Sequence, residues 1–364
     1  MSEENKERLS LMSRQGYQLL RENMTAEARE KFEEILAEEP DNNYALVGLG
    51  DLERKERHFD QAIEFYERCL ASHPENNYAL FGLAESYRAQ RKYNRAVEIW
   101  ERYLKFDDEN VTVLTRVADV YRKLRTFERS QELYLRVLEI EKDNPYALIG
   151  LGHLHYDFKQ FDSARHHWER MYEIAGDSVD IRVLTSLGNC HRKLKTYQQG
   201  IPYFKKALER DPDNFYALYG LADCYRGLHQ PAQSLEYWHR ILGNDPENKV
   251  ILTRAGDAYR TMDQYEQAEE YYRKALNVQY DVYAIIGLAV IHRRQKHFKK
   301  AISALEDLAV NEKDNARVFL ELSGCYEDQG RIPEALAVLS RFVEGARNPG
   351  RNVQRRIADL TARL

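Results

Sequence analysis

The chain has 364 residues, 31% of them charged and 43% hydrophobic, with a formal net charge of −5. Both signs are abundant and nearly cancel, which excludes an acidic disordered chain and argues against a basic nucleic-acid binder. Nine Pro and 18 Gly are few for an all-β chain full of tight turns, whereas 25 Tyr are many.

Residues 1–8 read as an N-terminal extension. The opening MSEENKERLSLMSRQGYQLL carries acidic residues and lacks the apolar core of a secretory leader. No window approaches the roughly 18 consecutive apolar residues of a membrane span. A cytoplasmic chain without membrane contact is therefore expected. From Leu9 one pattern recurs with a period of 34, in units starting at Leu9, Asn43, Asn77, Val111, Pro145, Ile181, Phe215, Lys249, Val282 and Ala316. Two residues are inserted before Ile181 and one is deleted before Val282, so ten units fill 9–349. Apolar residues at unit positions 4, 7 and 11 and at 20, 24 and 27 predict two amphipathic helices per unit. Position 8 is always small (Gly16, Gly50, Ala84 and onward), as is position 20 (Ala28, Ala62, Ala96 and onward). Position 24 is large: Phe32, Tyr66, Trp100, Tyr134, Trp168, Phe204, Trp238, Tyr272, Leu305 and Leu339. Small residues let two helix axes approach, and the large ones fill the space between hairpins. The units end in turns such as EPDN, HPEN and DPDN, where Pro stops one helix and Asn suits the cap of the next. Residues 350–364, GRNVQRRIADLTARL, predict a capping helix that lays Val353, Ile357 and Leu360 on the last hairpin.

This small–small–aromatic–Pro pattern, repeated ten times, resembles the tetratricopeptide repeat (TPR) family over roughly nine-tenths of the chain. The resemblance implies an all-α fold, a right-handed α-solenoid (superhelix) of about ten helical hairpins plus the C-terminal capping helix. First helices would line a concave groove and second helices its convex back. The family's groove-facing positions are 2, 5, 6, 9, 12 and 13. Position 2 carries a Tyr column, Tyr44, Tyr78, Tyr146, Tyr216 and Tyr283. Position 12 carries an Arg ladder, Arg54, Arg88, Arg122, Arg192, Arg226, Arg260 and Arg293. Position 6 is Gly in the Tyr-type units but Arg116 and Arg254 in two others, and Asn189 stands at position 9. These residues are the expected ligand-binding set. Positions 2 and 12 are separated by roughly 15 Å along a helix, giving an aromatic rim and an arginine rim.

A second period lies over the first. Tyr-type units alternate from the third unit onward with units built around VLTR, VLTS and ILTR, and all three Trp fall in Tyr-type units. Pairwise packing of hairpins and a ligand of matching spacing would each produce it. The ladder likewise has two readings. Acids at position 9 (Asp51, Glu85, Asp119, Asp223, Asp257) lie one turn from the arginines and can pair with them structurally. Alternatively, some guanidinium forks keep donors for a carboxylate, phosphate or peptide carbonyl. The Tyr column could itself be packing, and the Gly beside it either close packing or space for a ligand.

No nucleophile–base constellation is present, so no catalytic residue, cofactor or metal is assigned. His153 and His155 are two apart and point to different helix faces; His155, His191 and His292 sit at position 11, read as a core site. Cys69, Cys190, Cys224 and Cys325 form no CxxC pair. Only Asn189 fits the carboxylate clamp of chaperone-binding relatives, and position 6 lacks the Asn ladder of the O-linked sugar transferases. The expected function is a non-catalytic protein–protein interaction scaffold that binds an extended peptide or partner segment in the groove. The alternative is a polyanion, RNA or an acidic polysaccharide, along the Arg ladder, disfavoured by the adjacent acids. A third reading is homo-oligomerisation, with the arginine-rich end (Arg341, Arg347, Arg351, Arg355, Arg356, Arg363) as docking surface.

Overall fold

In the computed structural model, which describes residues 3–346 and 349–363, every regular element among the described residues is helical. The chain divides into two compact units, Met1–Val179 and Asp180–Leu364. The first contains five hairpins: α1 (Glu3–Arg21) with α2 (Thr25–Glu38), α3 (Asn43–Lys55) with α4 (Phe59–Ser72), α5 (Asn77–Ala89) with α6 (Tyr93–Tyr103), α7 (Val111–Lys123) with α8 (Phe127–Ile140), and α9 (Pro145–Asp157) with α10 (Phe161–Ala175). A short 3₁₀ turn, Gly176–Ser178, follows. The second contains α11 (Ile181–Lys193) with α12 (Tyr197–Arg210), α13 (Phe215–Gly227) with α14 (Pro231–Asn244), α15 (Lys249–Thr261) with α16 (Tyr265–Val278), α17 (Val282–Arg294) with α18 (Phe298–Asn311), and α19 (Ala316–Glu327) with α20 (Ile332–Gly345). The helix α21 (Gly350–Thr361) closes it, burying Val353 and Leu360 against the last hairpin.

Local chemistry sets the helix ends. The first helices from α3 onward each begin after an Asn or Asp whose side chain accepts a backbone N–H of the first turn: Asn42, Asn76, Asn110 and Asn144 in one unit, Asp180, Asn214, Asn248, Asp281 and Asn315 in the other. Each such cap stabilises its helix by about 0.5–2 kcal/mol. Between the two helices of a hairpin the chain instead turns through one residue in the left-handed region at repeat position 15, for example Arg57 (φ 66°) and Lys159 (φ 62°). Only the tenth turn uses a glycine there, Gly330 (φ 75°).

In each unit the core is built on the position-24 rings. Phe32, Tyr66, Trp100, Tyr134, Trp168, Phe204, Trp238 and Tyr272 are all at most 1% exposed. A Cβ on Gly16 would meet the Phe32 ring at 2.7 Å, and one on Gly50 would meet Tyr66 at 2.6 Å, so position 8 must be small. The same rings also reach the next hairpin. A Cβ on Gly48, Gly82, Gly150, Gly220 or Gly287 would come within 3.0 Å of the preceding repeat's Phe32, Tyr66, Tyr134, Phe204 or Tyr272. Position-6 glycine is therefore the seat of a six-membered ring, not space kept for a ligand. This also accounts for the second period. Glycine follows each Phe or Tyr, whereas the repeats that follow Trp100, Trp168 and Trp238 carry Arg116, Ser186 and Arg254. The indole of Trp168 turns its Nε1 edge to Gly152 of its own hairpin.

Candidate functional site

The position-2 tyrosines are not buried. Tyr44, Tyr78, Tyr146, Tyr216 and Tyr283 are between 55% and 79% exposed, and their hydroxyls make no hydrogen bond among the described residues. They stand at the start of α3, α5, α9, α13 and α17, one residue past each helix's first position. Several other tyrosines are tied to acids. Tyr66, Tyr134 and Tyr272 donate to Asp51, Asp119 and Asp257 at 2.7, 2.6 and 2.8 Å. Tyr87, Tyr121 and Tyr326 are half-buried and donate to Glu67, Glu101 and Glu306 on the neighbouring second helix. Position 11 is thus a boundary site, not uniformly core as the sequence reading had it. Its polar tip can reach water or a partner, while Glu53, His155 and His191 at the same position are buried.

Every ladder arginine is engaged by an acid. Arg54 and Arg260 pair with Asp51 and Asp257 (3.1 and 3.3 Å) and donate to the hydroxyls of Tyr66 and Tyr272. Arg88 pairs with Glu85 at 2.6 Å. Arg122 reaches Asp157 of the next hairpin at 2.6 Å, with Asp119 only at 4.0 Å. Arg192 and Arg226 share the buried Asp223 at 2.9 and 2.7 Å, and Arg192 also donates to Asn189. Arg293 grips Asp328 with two N–H groups and reaches Glu321 at 3.2 Å. Of the two position-6 arginines, Arg116 lies 3.6 Å from Glu85, whereas Arg254 has no carboxylate within ion-pair distance among the described residues. At the tenth repeat the ladder inverts. Glu327 occupies position 12 and receives Arg356 and Arg363 from the closing segment. Two members of the proposed terminal docking patch are thereby tied down, Arg341 lies over the Phe319 ring, and Arg347 is outside the described residues.

Asp223, shared by two arginines, has a pH consequence. Burial pushes its carboxyl up, but the hydrogen bond and charge of Arg226, then those of Arg192, outweigh burial and hold it below the usual carboxylate range. A carboxyl depressed on folding stabilises the fold above its unfolded pKa and loses that contribution as pH falls through its folded value. Asp223→Asn is expected to lose about 1.5–3 kcal/mol at neutral pH. Thermal melts from about pH 7 to pH 3 should show the gap to the parent protein narrowing below about pH 4. A gap independent of pH would mean that Asp223 is not held as the carboxylate.

Cavities gather the exposed residues locally. In the first unit a space of about 580 Å³ is bordered by Tyr17, Tyr44, Tyr78, Val47, Arg14 and Arg21. A second, about 520 Å³, brings Tyr146 together with Arg116, Thr115 and His153. In the second unit a smaller cavity of about 290 Å³ brings together Arg226, Arg254, Arg260 and Arg317 with Asp257 and the Trp238 ring. Tyr17, Arg14 and Arg317 were missed by the sequence reading. The signal was available for Arg317, which occupies position 2 of the tenth repeat, where five other repeats carry Tyr.

The remaining candidates have structural partners. Glu53, Glu56 and His58 bring ligand-type atoms within 4.8 Å of one another. Arg29 already pairs with both carboxylates, at 2.6 and 3.2 Å. His155 stacks on His167 and meets Gln160 at 2.6 Å; burial, then His155 and His166, push His167 down to about 4, so it is neutral at pH 7. The four cysteines are buried and form no disulfide, and burial pushes Cys69 and Cys325 up to about 11 and Cys224 up to about 12, leaving these three as protonated thiols. No helix among the described residues is long and apolar enough to cross a membrane.

Sequence comparison identifies the repeat. Family models described as tetratricopeptide repeat match residues 14–68, 48–110 and 286–351, and further models of the same description match 181–214, 203–236 and 251–281. Among solved structures, the C-terminal part of a TPR repeat-containing protein from Cytophaga hutchinsonii is similar at 17% identity with a TM-score of 0.58, covering 66% of this chain and 99% of that one. The Pseudomonas aeruginosa protein pilF is similar at 17% identity and a TM-score of 0.50, covering 58% of this chain and 96% of its own. At these identities the likeness is one of fold. No curated protein matches the chain.

Proposed function

The chain belongs to the tetratricopeptide repeat family, and from that premise we propose that it is a non-catalytic interaction scaffold whose first-helix groove binds an extended segment of a partner protein. One observation carries this reading: five tyrosines at the family's groove position 2 stand 55% to 79% exposed, without a hydroxyl partner among the described residues. A water-exposed aromatic at a recurring site gains little for the fold, yet tyrosine is among the residues that dominate protein interfaces. Position 2 recurs once per hairpin, so weak contacts could add along an extended ligand. The internal pairing of the Arg ladder weighs against a polyanion as the general ligand, because each phosphate would have to displace a carboxylate. Cysteines that form no disulfide fit a reducing, cytoplasmic setting.

The test is selection of peptides from a random library on the full chain, followed by affinity measurement at about 50 and 200 mM salt. Tyr44→Ser with Tyr78→Ser is expected to weaken the selected peptides by about 2 kcal/mol or more, roughly thirtyfold. The melting temperature should be unchanged, since both rings are exposed. Peptides that bind the double variant equally well would move the site off the Tyr column. Binding that collapses by orders of magnitude over that salt range would point to a polyanion.

A further inference from the structure

The arginine cavity of the second unit is not balanced by the acids around it. The position-6 arginine of the first unit, Arg116, leans on Glu85 of the preceding hairpin. Its counterpart Arg254 faces a preceding hairpin whose equivalent acid, Asp223, is already shared by Arg192 and Arg226. Asp257, the one acid among the described residues that line the cavity, is held by Arg260 and Tyr272. Arg317 comes from α19 to line the same cavity, and its own contact is with the Tyr283 ring at 5.9 Å. Two guanidinium groups without a carboxylate among the described residues therefore border one space of about 290 Å³.

We propose that this cavity, lined by Arg254 and Arg317 and flanked by Arg226 and Arg260, is a binding site for the phosphate monoester of a phosphorylated segment of the partner protein. This rests on the groove reading above and names the group that the groove selects. A dianion can meet both Arg254 and Arg317 with one charge each, whereas a carboxylate brings a single charge to the two of them. A guanidinium fork presents parallel N–H donors to phosphate oxygens, which are all acceptors. The volume admits a phosphate group but not a long stretch of chain, so the rest of the segment would lie along the first helices.

The test follows the Nε–H resonances of Arg254 and Arg317 by NMR in the full chain. The probes are a capped Gly-phosphoserine-Gly peptide, its serine and glutamate counterparts, and inorganic phosphate. The phosphoserine peptide should shift both resonances and bind at least about tenfold tighter than the glutamate peptide. Its affinity should fall about tenfold or more in Arg254→Gln and in Arg317→Gln, and stay within about twofold in Arg95→Gln, an arginine of the second helix α6 that pairs with Glu98. It should also weaken as the pH is lowered through about 6, where the phosphate becomes a monoanion. Equal binding of the glutamate peptide, or indifference to both substitutions, would overturn the proposal. Inorganic phosphate binding as tightly as the peptide would replace the phosphorylated segment by free phosphate, and a single-stranded RNA displacing the probe at lower concentration would replace it by nucleic acid. The two readings fail separately. Library peptides that depend on Tyr44 and Tyr78 but not on Arg254 would leave the groove and remove the phosphate site. A bound phosphoserine with no selected peptide would do the reverse.

Discussion

Gly150→Leu is expected to unfold the repeats around α7–α9, and Gly150→Ala to cost about 1–3 kcal/mol despite alanine's better helix propensity. A Cβ on Gly150 would lie within 3.0 Å of the Tyr134 ring, and that ring is 0% exposed with its hydroxyl held by Asp119 at 2.6 Å. The ring cannot swing away without breaking that bond, so helix propensity, worth about 1 kcal/mol, loses to overpacking. The pair Phe204 and Gly220 offers a cleaner version, because Phe204 has no hydroxyl anchor and is equally buried. Gly220→Ala should be rescued in part by Phe204→Leu, which removes the atoms that the new methyl would strike. The two changes should couple by about 0.5–3 kcal/mol in a double-mutant cycle read by denaturant melts. Additivity within experimental error would show that position-6 glycine is not the seat of the preceding ring.

Trp100→Ala should cost about 3–5 kcal/mol, among the largest effects of any single substitution in the first unit. Trp100 is 0% exposed and lies at the centre of a cluster that runs from α3 to α7, joining Leu46, Tyr66, Leu83, Val97 and Val113. In a stack of hairpins each repeat is stabilised chiefly by its neighbours, so a cavity between two of them weakens both faces at once. Trp100→Phe should be far milder. The indole N–H is buried without an acceptor among the described residues, and removing an unsatisfied donor recovers about 1–3 kcal/mol of what the lost ring volume costs. Chemical denaturation of the three proteins decides this; a phenylalanine variant as unstable as the alanine one would show that the N–H is satisfied in solution.

Several features were legible in the sequence because they are set by residues near one another along the chain. A helix is defined by the spacing of its own apolar positions, and its start by one side chain reaching two or three residues forward. Asn42, Asn76 and Asn110 could therefore be read as caps, and the boundaries of α3, α5 and α7 followed. Small residues at position 8 and large ones at position 24 are two sides of one close approach within a single hairpin, so the hairpin was legible too. With a period of 34 and ten copies, the family followed from the pattern alone.

Only the tertiary structure decided what the polar and aromatic side chains are used for, because their partners lie a whole repeat away and compete for the same atoms. Tyr at position 24 and Tyr at position 2 are the same residue type. One donates to Asp119 from a sealed interface, while Tyr78 stands in solvent. Gly82 could as well have been kept for a ligand until the Tyr66 ring was seen against it. The seven ladder arginines look alike in sequence, yet Arg122 passes over its own Asp119 for Asp157 of the next hairpin. Arg254 is left over because Arg192 and Arg226 reach Asp223 before it. Counting charges along the chain cannot find such a remainder. It arises from which guanidinium is nearest to which carboxylate, and that is fixed only when hairpins pack.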